Sequence, residues 1–295
     1  MNALERKTGL AVALAAGIMA CGFASAATMT VTTTNDAATL SGELAGNGVT
    51  ISNATYTGPD NASGTFTGGT AAGLGIDSGI VLTSGSAAAA GQPFISDNGV
   101  PDTNNGAPGD PAIANSNDAV NLTFHFTSTS TTASFTYFFA SAEYSGYVNS
   151  QYNDEFVFLF NGQNIALIPG TNTPVAINNV NAGGPNSDSG IDPSNTKYFI
   201  DNLHGANPGF DYAGYTKNFV ASISGLTPGA DNTISLIIAD VSDWSLDSAV
   251  FIGAGSFTNQ PPPSGVPEPS ALGVFGFGAL LTGLFATLRR RIHQS

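Results

Sequence analysis

VNLTFHFTSTSTTASFTYFFA, residues 120–140, decides the fold class. In its first part Val120, Leu122, Phe124 and Phe126 share one face. In its second, Phe135, Tyr137 and Phe139 share one face. A period of two is that of a half-buried β-strand. Downstream, Phe156–Phe160 is a continuous apolar run, as expected of a strand buried on both sides. Asn161-Gly162 is a hairpin turn signal, with Asn164–Ile168 as the return strand. Val175–Val180 reads as another short strand. Tyr215–Ile223 and Thr233–Val241 read as strands joined by a turn at Pro228-Gly229, and Ser248–Phe257 closes the domain. Upstream, Gly48–Tyr56 alternates, and Gly73–Leu82 reads as a tight turn followed by a buried strand. Thr83–Asn117 and Gly183–Thr196 lack periodicity and are expected to be loops, the first a long surface excursion. No helical pattern is evident between Thr28 and Gly265. Many short strands with Gly-rich connections predict an all-β fold, a single β-sandwich or jelly roll.

Both ends carry targeting features. Arg6 and Lys7 precede an apolar stretch from Gly9 to Phe23 and the small residues Ala24-Ser25-Ala26. This is the order of a signal peptide, expected over 1–27. Its removal takes away Cys21, so the exported chain has no disulfide. A lipoprotein reading with Cys21 as the lipidated residue fits poorly with Ile18-Met19-Ala20 before it. At the other end, a Pro-stiffened linker over 260–265 leads to Pro267-Glu268-Pro269. An uncharged apolar run over 271–288 follows, then Arg289, Arg290 and Arg291. The run is long enough to cross a bilayer as a helix, and the arginines would hold its end on the cytoplasmic side. The order of parts over 266–295 resembles the PEP-CTERM sorting signal of Gram-negative bacteria. That resemblance implies processing near Pro-Glu-Pro by an exosortase-type membrane enzyme, and a site of action at the cell surface or in the matrix. A plain single-span anchor is the alternative.

Between the two ends only Lys197 and Lys217 are basic. Of twenty-one acids, only Glu5 and Glu268 lie in the end segments. The nineteen that remain leave the exported part with about seventeen net negative charges. Nucleic acid is excluded as a partner, because it requires a positive footprint. An anionic membrane surface is excluded on the same ground.

Four segments together resemble the choice-of-anchor L domain. They are GLGIDSGIVLTSG (73–85), FFASAEYSGYVNSQYNDEFVFLFNG (138–162), NIALIPGTNTPVAINNVN (164–181) and IADVSDWSLDSAVFIGAGSF (238–257). The resemblance implies a secreted β-domain, assigned to residues 28–259, and a surface location rather than a particular chemistry. Ser141-Ala142-Glu143-Tyr144 departs from the expected pair of acids before the tyrosine, which removes one potential ligand.

The carboxylates gather in two motifs at strand ends: Glu143 with Asn153-Asp154-Glu155, and Asp240, Asp243 and Asp247. Loops at strand ends can bring oxygen ligands together, and Ca²⁺ takes six to eight of them. The expected site is therefore Glu143, Asn153, Asp154, Asp240, Asp243 and Asp247. In the competing reading these acids cap turns. Tyr144, Tyr147, Tyr152 and Trp244 are candidates for an aromatic sugar platform beside the acids. Asn178, Asn179 and Asn181 are read as turn residues. No nucleophile elbow and no His-Glu-x-x-His motif occurs. Paired acids leave a glycosidase as the enzymatic alternative. The expectation is a non-catalytic structural or adhesive protein of an exopolysaccharide matrix or biofilm, stiffened by calcium. A Ca²⁺-assisted glycan-binding module is the second reading.

Overall fold

The computed structural model describes residues 28–96, 100–184 and 193–260. In chain order these form β1 (Thr30–Thr33), α1 (Ala37–Leu44), β2 (Val49–Thr57), β3 (Ser63–Thr67), β4 (Gly79–Thr83) and α2 (Ala87–Ala90). There follow β5 (Ser116–Ser128), β6 (Thr132–Ser141), β7 (Glu155–Phe160), β8 (Gln163–Asn164) and β9 (Phe199–Asp201). The last are β10 (Gly214–Thr216), β11 (Phe219–Ser224), β12 (Asn232–Val241) and β13 (Ser248–Gly253). Two antiparallel sheets result. One runs β1-β3-β4-β13-β6-β10-β9, with β11 sharing the far edge of β6 with β10. The other runs β2-β5-β12-β7-β8. The all-β expectation holds.

The alternation read in residues 120–140 is what joins the sheets. Phe124 and Phe126 of β5 meet Phe135, Tyr137 and Phe139 of β6 in one fully buried cluster. Phe156 and Phe158 of β7 and Phe257 complete its aromatic centre. Phe257 stacks on Phe135 at 3.9 Å between centroids and meets Phe126 edge-on at 4.7 Å. On the outer face of β7, Val157 packs with Ile237 and Ile113, so the expected two-sided burial holds for the middle of the strand. Asn161 and Gly162 both take positive φ, 47° and 82°, as a two-residue primed turn requires.

Four expectations are corrected. Helix α1 exists, capped by Asp36, whose carboxylate accepts from the Thr39 N–H at 2.9 Å. Gly42 and a short apolar face of Leu40 and Leu44 hid its period. Val175–Val180 is not a strand. Its Ile177–Asn179 part is a 3₁₀ turn, because the Asn178 and Asn179 side chains bond Ser150 and Pro174 carbonyls. Of the expected return strand Asn164–Ile168, only Asn164 pairs regularly with β7, together with Gln163 before it. Tyr215–Ile223 is broken at Lys217-Asn218 into β10 and β11, which pair with different stretches of β6.

The chain leaves the sandwich at one pole. Ser134, near the start of β6, exchanges backbone bonds with Thr258, and the Ser134 hydroxyl reaches the Gln260 carbonyl at 3.5 Å. At the other end of β6, the Ala142 N–H donates to the Asp247 carbonyl. Eight residues at about 3.3 Å each separate these positions by about 26 Å. Among the described residues no helix is long and apolar enough to cross a membrane. The expected signal peptide, Pro267, Glu268 and Pro269, the apolar run 271–288 and Arg289, Arg290 and Arg291 lie outside the described residues.

Phe257→Ala removes the ring that three others contact. The expected loss is about 3–5 kcal/mol of stability in denaturant unfolding. A loss below about 1 kcal/mol would show that the ring is peripheral.

Candidate functional site

The antiparallel ladder brings five chain segments to the pole opposite Gln260. Ser248 opens β13 opposite Ser141, the last residue of β6, and Ala249 faces Thr83, the last of β4. In the other sheet, Ala239 of β12 faces Glu155, the first of β7. Glu143, Asp154, Asp240 and Asp247 therefore converge from both sheets. All four are buried, with at most 1% of their surface exposed.

Hydrogen bonds tie this pole together. The Ser248 hydroxyl donates to Asp154 Oδ2 at 2.7 Å, and the Val241 N–H donates to Asp154 Oδ1 at 2.9 Å. The Ser248 N–H donates to the Ser84 hydroxyl at 3.0 Å. The long excursion between β4 and β5 runs over the surface, as the sequence suggested, but is tied down at this pole. It folds over the acids. The Thr103 N–H donates to Asp247 Oδ1 at 2.9 Å, and the Asp247 N–H to the Pro101 carbonyl. The Asn105 amide reaches the Ser84 and Gly85 carbonyls. A fifth buried acid, Asp118, accepts from the Asn105 and Ala107 N–H groups. Gly85 lies so close to the Asp247 carboxylate that any side chain there would overlap it.

These bonds do not satisfy the pole. Both oxygens of Asp240, Oε2 of Glu143 and Oδ2 of Asp247 are buried without a hydrogen-bond partner. The Ser84 hydroxyl lies beside Asp240 and eases it somewhat, but is directed at the Ser248 carbonyl at 3.4 Å. None of the groups that shift these acids is basic. Lys197 stands over the Tyr198 ring at 4.7 Å, and Lys217 is exposed. Burial is thus the first cause of every shift, with the neighbouring acids adding to it. Glu143 is pushed up to about 9 and Asp247 to about 6. Asp154 and Asp240 are both pushed well up. For Asp154 the bonds from Ser248 and Val241 work against burial, and for Asp240 the charge of Asp154 adds to it.

The other expected residues lie at the rim. Asn153 accepts the Asn178 N–H at 2.8 Å and shapes the loop rather than facing the acids. Asp243 is half-buried, and its Oδ1 makes a long bond to the Ser245 N–H, as a turn cap does. It still acts on Glu143 and Asp154 through its charge. Sequence reading missed Asp102 and Asp118. Asp102 is exposed, accepts the Leu246 N–H at 3.1 Å and raises Glu143, Asp243 and Asp247. The length of the aperiodic excursion hinted at Asp102 alone, since Asp118 stands just past it in β5. Among the described residues no three His, Cys, Asp or Glu side chains are set, as they stand, to hold a metal ion.

The aromatic set divides. Tyr144 is 2% exposed and packs against Phe199, so it is not part of a platform. Tyr147 and Trp244 are exposed, and Tyr147 meets Tyr152 edge-on at 5.4 Å. Asn178, Asn179 and Asn181 all bond loop backbone, the turn role read from sequence.

A two-sheet antiparallel sandwich with an acid-filled pole defines an all-β module with no recognisable catalytic motif in its sequence. The family model of the Choice-of-anchor L domain matches residues 28–258, and the chain belongs to that family of surface-associated proteins. No curated protein and no solved structure matches the chain.

The pH dependence of stability follows from the shifted acids. Their ordinary values are 3.8 and 4.5, and folding raises all four. Below these values both states are protonated and nothing is lost. As pH rises past about 4 the unfolded chain releases protons that the folded chain retains, until Asp247 lets go near 6 and Glu143 near 9, so stability falls across this window and then levels off. With chelator present, the melting temperature at pH 9 is expected to lie below that at pH 5. A loss of ~3 kcal/mol corresponds to roughly 6–12 °C. A melting temperature that is flat or rises over this range would contradict the assignment.

Proposed function

We propose that this protein is an exported, non-catalytic surface module with a structural or adhesive role in an exopolysaccharide matrix or biofilm. Family membership supports the surface location. The observation that carries the role is the opposition of the two poles. The chain leaves toward its tail beside Ser134, and the acids, Tyr147 and Trp244 lie about 26 Å away along β6. A module tethered by its C-terminal tail thus presents the acidic, aromatic pole outward. The tail resembles a signal read by an exosortase-type enzyme, which gives an inner-membrane precursor and then release to the surface. Burial weighs against the glycosidase reading. A polysaccharide cannot reach four carboxyls that are at most 1% exposed.

A second reading, a Ca²⁺-assisted glycan-binding module, is favoured by the exposure of Trp244 (41%) and Tyr147 (37%) on the outward pole. Exposed aromatic rings next to polar groups suit the apolar face of a sugar.

Sorting and binding are tested separately. In a host with an exosortase-type system, the full chain is expected at the cell surface, open to added protease. The Pro267→Ala/Glu268→Ala/Pro269→Ala variant is expected to remain in the inner membrane fraction. Equal surface display of both would remove the sorting assignment. On a glycan array with millimolar Ca²⁺, binding that is lost in Trp244→Ala would replace the structural reading by the glycan-binding one. An array without signal favours the structural role.

A further inference from the structure

The geometry points to a Ca²⁺ site at this pole, held by the carboxylates of Glu143, Asp154, Asp240 and Asp247 and closed by the strand connection over 101–115. The inference goes beyond the surface role and does not depend on it.

The acids alone would not establish a site, since buried carboxyls can serve as turn caps. What distinguishes them is the state of their oxygens. Asp118, buried beside them, behaves as a cap should, with both oxygens accepting backbone N–H groups. Asp154 is likewise satisfied at both oxygens. Asp240 has neither oxygen partnered, although it is fully buried. Glu143 leaves one buried oxygen unpartnered, and so does Asp247, although the Ser86 backbone and the Thr103 hydroxyl lie near its carboxylate and ease it. The four free oxygens come from three segments of chain: the loop after β6, the end of β12 and the turn before β13. An unpartnered buried carboxyl is costly, and several together are more so, unless a positive charge sits among them. The described residues supply none, because both lysines among them are exposed.

The donor chemistry selects the ion. Only oxygen is available, from carboxylates, with the Ser84 and Gly85 carbonyls and the Ser84 hydroxyl nearby. No imidazole or thiolate is among the groups that act on these four acids, so zinc and copper are disfavoured. The ligands sit on segments of both sheets and on a loop. Such a flexible frame suits the larger and less regular shell of Ca²⁺ better than the strict octahedron of Mg²⁺. As they stand, the carboxylates do not close around one point. Binding must draw Glu143 and Asp247 inward. Asp247 is bonded to Thr103 and Pro101, so the 101–115 connection would tighten with it. A site that must be drawn together belongs with extracellular modules that bind at about 10⁻⁴–10⁻³ M.

The chain's single tryptophan, Trp244, lies between Asp240 and Asp247 in sequence and offers a probe. Tb³⁺ replaces Ca²⁺ in oxygen sites and emits when an adjacent indole is excited. The purified full-length protein is titrated with Tb³⁺ and then with competing Ca²⁺, with melting curves recorded in millimolar Ca²⁺ and in chelator. Sensitised emission that Ca²⁺ displaces, with a melting temperature several degrees higher in Ca²⁺, is expected. Asp240→Asn and Glu143→Gln should each weaken Ca²⁺ competition by roughly tenfold or more. If either variant does not fold, the other variant and the wild-type titration still decide. Two results would overturn the proposal: absence of sensitised emission with identical melts, or emission unchanged in both variants, which would place the ion on rim acids such as Asp102 and Asp243.

Discussion

The bond from the Ser248 hydroxyl to Asp154, 2.7 Å long, joins the first residue of β13 in one sheet to the residue before β7 in the other. Around it the fold buries five carboxyls, Asp118 among them, and no basic group among the described residues. Elsewhere the sheets are held by aromatic packing, which needs no particular partner. At this pole they are held by polar groups that require satisfaction, and some of them lack it. The result is a sandwich with one apolar, self-sufficient end, near Phe257, and one end whose stability depends on what neutralises its acids.

That dependence explains the path of the connection between β4 and β5. A segment rich in Gly, Pro, Asp and Asn has little apolar surface to fix it. It is fixed by its backbone, through the N–H of Thr103 on Asp247 and those of Asn105 and Ala107 on Asp118. The acids thus organise the loop that covers them. A change in their charge would be felt first in this loop and only then in the sheets.

Much of the fold was legible because it rests on period. Val120, Leu122, Phe124 and Phe126 alternate, and each is buried as that pattern requires. Helix α1 was illegible because Gly42 interrupts it and its buried face is short. The Val175–Val180 segment misled because its apolar residues suit a strand, while the Asn178 and Asn179 amides donate to the Ser150 and Pro174 carbonyls and hold the chain in a turn. For the site, position at strand ends was enough to single out Glu143, Asp154, Asp240 and Asp247. It could not separate them from Asn153 and Asp243, since neighbours in sequence differ in depth only once folded. Nor could it find Asp118, a β5 residue whose partners, the N–H groups of Asn105 and Ala107, come from a loop without periodicity. Ala142, where a second acid was expected, packs in the outer apolar cluster with Phe138 and Ala140. An acid there would face that cluster.

The central claim is that the pole holds positive charge from outside the chain, as protons or as a cation. Infrared spectroscopy of the chelated protein at neutral pH tests it most directly, because protonated and ionised carboxyls absorb at different frequencies. The account predicts a protonated carboxyl band that diminishes in Glu143→Gln and in Asp240→Asn, and that is lost when Ca²⁺ is added. A spectrum of fully ionised carboxylates in the chelated protein, unaltered by Ca²⁺, would contradict it.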